Sequence, residues 1–201
     1  MRNRRKSREL ALQALYFMDS RRNFSREALK LFCRCFQEED QEHSFFEEIT
    51  LGVMTYRRQI DRQIERFSSH WKISRMSCVD RNIMRVAVYE LLFREDIPAK
   101  VSINEAIDIG KKFGTEESGA FINGILDSIH LAVDRGEITA DPNEQTEIPL
   151  HSPAERGYQP VRPEEAEAYF SPVKGRPGVV KRRAQSEPPS ADTEKTKQGA
   201  K

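Results

Sequence analysis

Residues 79–114 read VDRNIMRVAVYELLFREDIPAKVSINEAIDIGKKFG and contain two helical patterns separated by a proline. Apolar residues in its first half recur at three- and four-residue spacing: Ile83, Val86, Ala87 and Leu91. That spacing predicts a helix over residues 79–94 with one apolar face. Pro98 ends the pattern, because a proline disfavours helical geometry in the residue before it.

The second half of the stretch predicts another helix, beginning at Ser102. Ser102 and Glu105 fit a capping box, in which the serine accepts from a backbone N–H and the glutamate reaches back to the cap. Gly114 suits the left-handed position that closes many helices. Thr115 can then cap a sixth helix.

The helical pattern extends towards the start of the chain. A first helix is predicted from the apolar stripe at Leu10, Ala11, Ala14, Leu15 and Met18. Ser25 is a candidate N-cap for a second helix, and a long amphipathic helix is predicted over residues 42–68. Since no strand alternation is evident, we expect an all-α domain of six to seven helices over residues 1–136.

Composition changes after Gly136, and nine of the ten prolines lie at Pro142 or later. Few apolar residues follow, so we expect residues 137–201 to form a disordered tail rich in proline and charge. EEAEAYF at 164–170 is compatible with a short helix, and KGRPGVVKRR at 174–183 carries a basic cluster.

Bulk composition narrows the class of protein. The 201 residues carry a formal net charge of +1, so any basic surface must be local. Polar residues interrupt the first apolar stretch, and no run of about 18 apolar residues follows, so neither a signal peptide nor a membrane span is expected. Three cysteines without CxxC spacing favour reduced thiols in the cytoplasm.

Motifs for catalysis are not evident. Gly-rich phosphate loops are missing, and the four histidines are scattered without metal-ligand spacing. We expect no metal and no cofactor. Since no nucleophile stands beside a base, the sequence favours a binding protein over an enzyme.

Three segments together resemble the NusB family of bacterial transcription antitermination factors: RKSRELALQALYFMD at 5–19, the stretch quoted above, and TEESGAFINGILDSI at 115–129. The resemblance covers about residues 4–134. It implies an all-helical fold of two small bundles without enzymatic activity. It also implies binding to boxA-type single-stranded RNA, together with the ribosomal small-subunit protein NusE, in RNA polymerase antitermination complexes on ribosomal RNA operons.

An alternative comes from the same resemblance. A NusB-like domain also occurs as the N-terminal part of a ribosomal RNA cytosine methyltransferase, so the chain could be a related RNA-binding accessory domain. The tail is too short for a catalytic domain and lacks the α/β pattern of one, which disfavours this alternative.

The resemblance assigns candidate RNA contacts to both ends of the domain. A basic track at the start of the chain suits phosphates, whereas Gln13 and Tyr16 could reach or stack on bases. Core packing is the alternative for Tyr16, as it is for Phe113. Complementing the dipole of the fifth helix is the alternative for its terminal lysines. The expected RNA-binding residues are Arg4, Arg5, Lys6, Arg8, Gln13, Tyr16, Lys111 and Lys112.

In the family, the fourth helix helps to receive NusE. The resemblance therefore assigns partner binding to Asp80, Arg81, Arg85 and Glu90. Asp80 is expected to present an exposed carboxylate to a basic partner. A structural salt bridge is an equal interpretation for Arg85.

Overall fold

The computed structural model describes residues 2–36, 43–68 and 71–151, and within these ranges every regular element is a helix. A 3₁₀ turn, Ile73–Arg75, precedes the fourth α-helix. The helices are α1 (Arg2–Ser20), α2 (Arg26–Phe36), α3 (His43–Phe67), α4 (Cys78–Phe93), α5 (Ala99–Phe113) and α6 (Ser118–Asp134). The predicted all-α fold is confirmed. The segments 164–170 and 174–183 lie outside the described residues.

Helix α4 lies at the centre of the domain. Residues 82–90 are buried in succession, as expected for a helix covered on all sides. It packs against α1, α3, α5 and α6, and so joins the helices before it to those after it. Gly52 of α3 allows the close approach, because a Cβ there would overlap the ring of Tyr89.

The predicted Ser25 cap is confirmed, and the start of α4 carries a further cap that was not predicted. Ser25 Oγ accepts a hydrogen bond from the Ala28 N–H at 3.1 Å, as predicted for α2. Ser77 Oγ accepts from the Asp80 N–H at 3.2 Å at the start of α4. The long helix predicted over residues 42–68 is α3. These features depend on neighbouring residues alone, which explains why the sequence reveals them.

The capping box predicted at Ser102 is wrong. Helix α5 begins one turn earlier, at Ala99, with Pro98 at its N-cap position. Ser102 is therefore an interior residue, and its hydroxyl donates to Oε2 of Glu90 at 2.5 Å. Glu105 binds Arg5 of α1 instead of reaching back to Ser102. The local pattern paired Ser102 with Glu105, but in the structure each of them binds a residue of another helix.

The predicted roles of Gly114 and Thr115 are also wrong. Gly114 has a φ of −94° and is not left-handed. Glycine is needed there for space, since a Cβ would lie 2.6 Å from Cβ of Ser118. Thr115 does not cap α6; its N–H donates to Ser118 Oγ at 2.8 Å, and the helix begins at Ser118.

Residues 137–151 cross α3 and reach α2, and we call this segment the strap. Gln59 of α3 binds its backbone twice: the side-chain amide donates to the Asp141 carbonyl, and the Asp141 N–H donates to Oε1, both at 3.1 Å. Ile138 and Thr146 of the strap are buried. Packing therefore continues past Gly136, where composition placed the domain boundary.

The strap satisfies backbone groups that the helices leave free. Helix α3 is kinked at Tyr56 (φ −103°, ψ 15°), and the Thr55 carbonyl beside the kink accepts from the Thr146 N–H at 2.5 Å. At the start of α2, the Arg26 and Glu27 N–H groups donate to the carbonyls of strap residues 149 and 150 at 3.0 and 3.1 Å. Helix termini require such partners.

Gln59→Ala tests whether the strap belongs to the folded domain. The change leaves the Asp141 N–H and carbonyl without their partner, so it should lower the free energy of unfolding by about 1–3 kcal/mol. Urea denaturation measures this effect. In a chain ending at Gly136 the same substitution should have little effect, because its partner is gone. Equal losses in both chains would contradict the role of the strap.

Candidate nucleic-acid interface

Helices α1 and α5 are joined by ion pairs along their length. Arg5 Nη2 lies 2.7 Å from Oε1 of Glu105 and 2.9 Å from Oδ2 of Asp108. Further along, Lys112 Nζ lies 2.7 Å from Oε2 of Glu9. We call this surface the α1/α5 edge. It comprises Arg4, Arg5, Lys6, Glu9, Glu105, Asp108, Lys111 and Lys112.

The cations at the start of α1 lie at the electropositive end of the helix dipole, where positive charge is unfavourable. The N-terminus of a helix is electropositive, and the first turn of α1 has no acidic residue. Arg4 lies 3.3 Å from Asp96, with both side chains about half exposed. Hydrogen bonding and charge from Glu105 raise the pKa of Arg5, which remains 47% exposed. Lys6 is exposed and has no ion pair within the described residues.

The ring of Phe45 contacts three arginines at the Arg4 end of the α1/α5 edge. The guanidinium carbons of Arg4, Arg8 and Arg94 lie 5.0, 5.3 and 5.5 Å from the ring centroid of Phe45. Arg94 also pairs with Glu48 and Asp96 at 2.7 and 2.8 Å. These contacts hold Arg4 over α3 while it faces solvent.

The other end of the edge carries the two lysines. Lys111 is exposed, and its stem passes over Gly119 of α6, where a Cβ would lie 3.1 Å from it. Lys112 is 52% exposed and lies 4.8 Å from the Phe113 ring centroid. Phe113 is partly buried against the core.

Gln13 and Tyr16 are half-buried, and their spacing from Arg5 and Glu9 puts them on the same side of α1.

Arg8 and Glu90 do not lie on the surface, contrary to their predicted RNA-binding and partner-binding roles. Their side chains are 5% and 1% exposed. Arg8 donates two hydrogen bonds to the Glu90 carboxylate, at 2.7 and 3.1 Å, and Ser102 donates a third. Each charge can be buried because the other neutralises it at the junction of α1, α4 and α5.

Arg81 and Arg85 also make structural ion pairs. Both donate to Oδ2 of Asp19, at 2.6 and 3.0 Å, and Arg85 also binds Asp61 at 2.7 Å. Burial alone would raise the pKa of Asp19, but the hydrogen bond from Arg81 and the charges of both arginines outweigh it and lower that pKa. The salt-bridge interpretation of Arg85 is therefore correct for this structure.

Asp80 lines a groove between the start of α4 and the start of α6. It is 7% exposed, so the expectation of an exposed carboxylate is wrong. Its Oδ1 has no hydrogen-bond partner within the described residues. The groove is bordered by Trp71, Arg75, Met76, Ser77, Thr115, Glu117, Ser118 and Phe121. An unpaired buried acceptor favours a ligand that brings a donor.

Two aromatic residues of the groove, Trp71 and Phe121, were not predicted as site residues. Trp71 is 53% exposed, and its ring meets that of Phe121 edge-on at 6.3 Å between centroids. In the sequence, Trp71 lies in a loop and Phe121 in a helical apolar stripe, and aromatic residues in such positions usually belong to the core. The signal that could have identified this site is the position of the only tryptophan, directly after the long helix.

Within the described ranges, no cluster of three or more histidine, cysteine or acidic side chains is arranged to hold a metal ion. None of the helices in those ranges is both long enough and apolar enough to span a membrane.

Comparison with known proteins connects this geometry to one family. The model of the NusB family matches residues 5–131. Transcription antitermination protein NusB of Desulfatibacillum aliphaticivorans is 56% identical over 137 residues, which cover 68% of this chain and 96% of the relative. T. maritima NusB matches with a TM-score of 0.58 and 37% identity, over 67% of this chain and 97% of that one. A crystal structure of antitermination factors NusB and NusE with dsRNA matches with a TM-score of 0.57 and 28% identity, over 66% of this chain and 98% of that one.

The buried ion pair yields a stability prediction. Glu90→Ala leaves the buried Arg8 with only the more distant carboxylate of Glu105, at 3.7 Å, and should lower the free energy of unfolding by about 3–5 kcal/mol. Replacing both residues, by Arg8→Met and Glu90→Leu, should recover most of the loss, since apolar side chains of similar volume can replace a buried pair. Urea denaturation compares the variants. A double variant as unstable as Glu90→Ala alone would refute the uncompensated-charge explanation.

Proposed function

Because the chain belongs to the NusB family, we propose that it is a transcription antitermination factor that binds RNA together with NusE. The RNA is a boxA-type single strand, and the complex assists RNA polymerase on ribosomal RNA operons in the cytoplasm. The chain acts by binding and not as an enzyme. The curated relative is matched almost end to end, which favours this factor over a methyltransferase accessory domain.

The main support for RNA binding is the α1/α5 edge with its exposed cations. Its cations stand on two helices that both pack on α4, so little conformational entropy is lost when they meet a phosphate backbone. Arg4, Arg5 and Lys112 are each about half exposed, and Lys6 and Lys111 are exposed. Single-stranded RNA is bound by such a basic track with adjacent groups that contact bases. Gln13 and Tyr16 follow on the same side of α1, one and two turns beyond Glu9, the residue that pairs with Lys112.

The carboxylates of the edge do not prevent this role. Exposed ion pairs contribute only about 0–1 kcal/mol, so a phosphate can displace them. Until then, Glu105 and Asp108 hold the guanidinium of Arg5 in a defined position. Arg8 contributes indirectly, by fixing α1 against α4.

The Asp80 groove supports the NusE assignment. A related complex contains NusB and NusE together. We propose that a basic side chain of NusE donates to Oδ1 of Asp80 and packs against Trp71, whose face can attract a cation. Arg81, Arg85 and Glu90 support this surface from inside α4 and make no direct contact.

The first test concerns RNA. Replacing Arg4, Arg5 and Lys6 with alanine should weaken binding of a boxA strand by the chain and NusE. The salt dependence should also become shallower, by about 0.7 for each phosphate of the single strand that is no longer neutralised. Fluorescence anisotropy at several salt concentrations measures both quantities. Lys30→Ala, on the exposed face of α2, is the matched control and should change neither.

Asp108→Asn provides a test in the opposite direction. It removes a carboxylate that competes for Arg5 at 2.9 Å, so RNA affinity should rise by about twofold to fivefold, corresponding to an exposed ion pair. In the Arg5→Ala background the gain should be smaller. An equal gain in both backgrounds would indicate a general charge effect and not a contact through Arg5.

The second test concerns NusE. Asp80→Asn keeps the side-chain volume and the Ser77 cap, which uses the backbone of residue 80. It removes the charge, so affinity for NusE should fall by about tenfold or more, as for a buried charged hydrogen bond. Calorimetry measures the affinity, with Asp127→Asn on the exposed side of α6 as control. Unchanged affinity in Asp80→Asn would place the NusE contact elsewhere.

A further inference from the structure

A second groove lies between α2, α3 and the end of the strap, away from the residues assigned to RNA and NusE. Its floor is apolar, formed by Leu29, Cys33 and Leu51. One wall carries Arg26, Lys30 and Arg34 of α2, and the single acidic residue beside them, Glu27, lies 3.5 Å from Nδ1 of His151. These three cations are exposed, follow one another at four-residue spacing, and have no ion pair within the described residues. Glu47 stands on the opposite wall.

The strap delivers the chain directly to this groove. Backbone hydrogen bonds from the N-terminus of α2 hold residues 149 and 150 at its rim. Leu150 and His151 themselves line it. Whatever follows His151 therefore starts at the groove, at a high local concentration relative to it.

One segment of the following sequence matches the groove in chemistry. Residues 164–170 read EEAEAYF, with three glutamates followed by two large aromatic residues. The glutamates complement the cations of α2, and the aromatic side chains suit the apolar floor. Residues 152–163 connect His151 to this segment. Twelve residues can reach at most about 40 Å, and the eleven-residue helix α2 is about 16 Å long, so the connection is long enough to return along α2.

We propose that this groove is the docking site of the chain's own segment 164–170, with Tyr169 and Phe170 over Leu29 and Cys33 and the glutamates along Arg26, Lys30 and Arg34. The contact is intramolecular and covers a face of α2 that the rest of the described domain leaves exposed. It goes beyond the proposed RNA and NusE functions and does not depend on them.

Cys33 reports on this contact because it lies in the floor. Burial, with the charge of Glu47, raises the pKa of its thiol to about 11, so all variants are compared at one pH. The full chain carries Cys35→Ser and Cys78→Ser, which leaves Cys33 as the only thiol. The rate of its reaction with a chromogenic disulfide is then measured.

We expect Tyr169→Ala with Phe170→Ala to accelerate the modification of Cys33 by about threefold to tenfold, as for release of a weakly docked segment. Tyr158→Ala is the matched control, an aromatic residue outside the segment, and should leave the rate unchanged. Equal rates in all three chains would overturn the proposal. Circular dichroism confirms that each chain is folded.

A charge exchange gives an independent measurement. Arg34→Glu and Glu167→Lys should each accelerate the modification, and together they should restore the original rate. Protection must also be independent of protein concentration. Protection that grows with concentration would assign the groove to a second copy of the chain, and protection that requires added RNA would assign it to nucleic acid. Either result would overturn the proposal.

Discussion

Glu90 is the buried charge on which the arrangement of three helices depends. It stands on α4, receives two hydrogen bonds from Arg8 of α1, and receives a third from Ser102 of α5. Removing these charges from water costs several kcal/mol per ion, so the pair is tolerated only in good geometry with its hydrogen bonds complete. The pair therefore fixes α1 against α4 and α5. Arg4, Arg5 and Lys6 belong to the same helix and take their positions from it.

The exposed cations of the α1/α5 edge are held in place before any ligand arrives. Arg5 is gripped by Glu105 and Asp108, and Arg4 lies between Asp96 and the ring of Phe45. A guanidinium that is already positioned loses less rotational freedom when it binds a phosphate. The carboxylates lower the net positive charge of the edge in return. Such a surface gives up some attraction at long range and gains defined geometry at contact.

The strap shows how a polar, proline-rich segment can belong to a folded domain. Its side chains bury little apolar surface, since Ile138 and Thr146 are its only buried residues among those described. It stays in place through backbone hydrogen bonds to the kink of α3 and to the start of α2. Both are points where a helix leaves donors or acceptors unpaired. The strap thus joins α2 to α3 and sets where the rest of the chain leaves the domain.

Sequence patterns were enough to predict the all-α fold, the positions of most helices and the Ser25 cap, because periodicity and capping reflect interactions between near neighbours. They also identified the basic start of α1 and the lysines of α5. Which charged residues face solvent depends on the packing of the helices and cannot be read from local sequence. Arg8 and Glu90 are 82 positions apart, and each looks exposed until the other is beside it. Ser102 and the strap follow the same rule: a polar group is buried or ordered according to partners from distant segments, and local sequence does not specify which segments will meet.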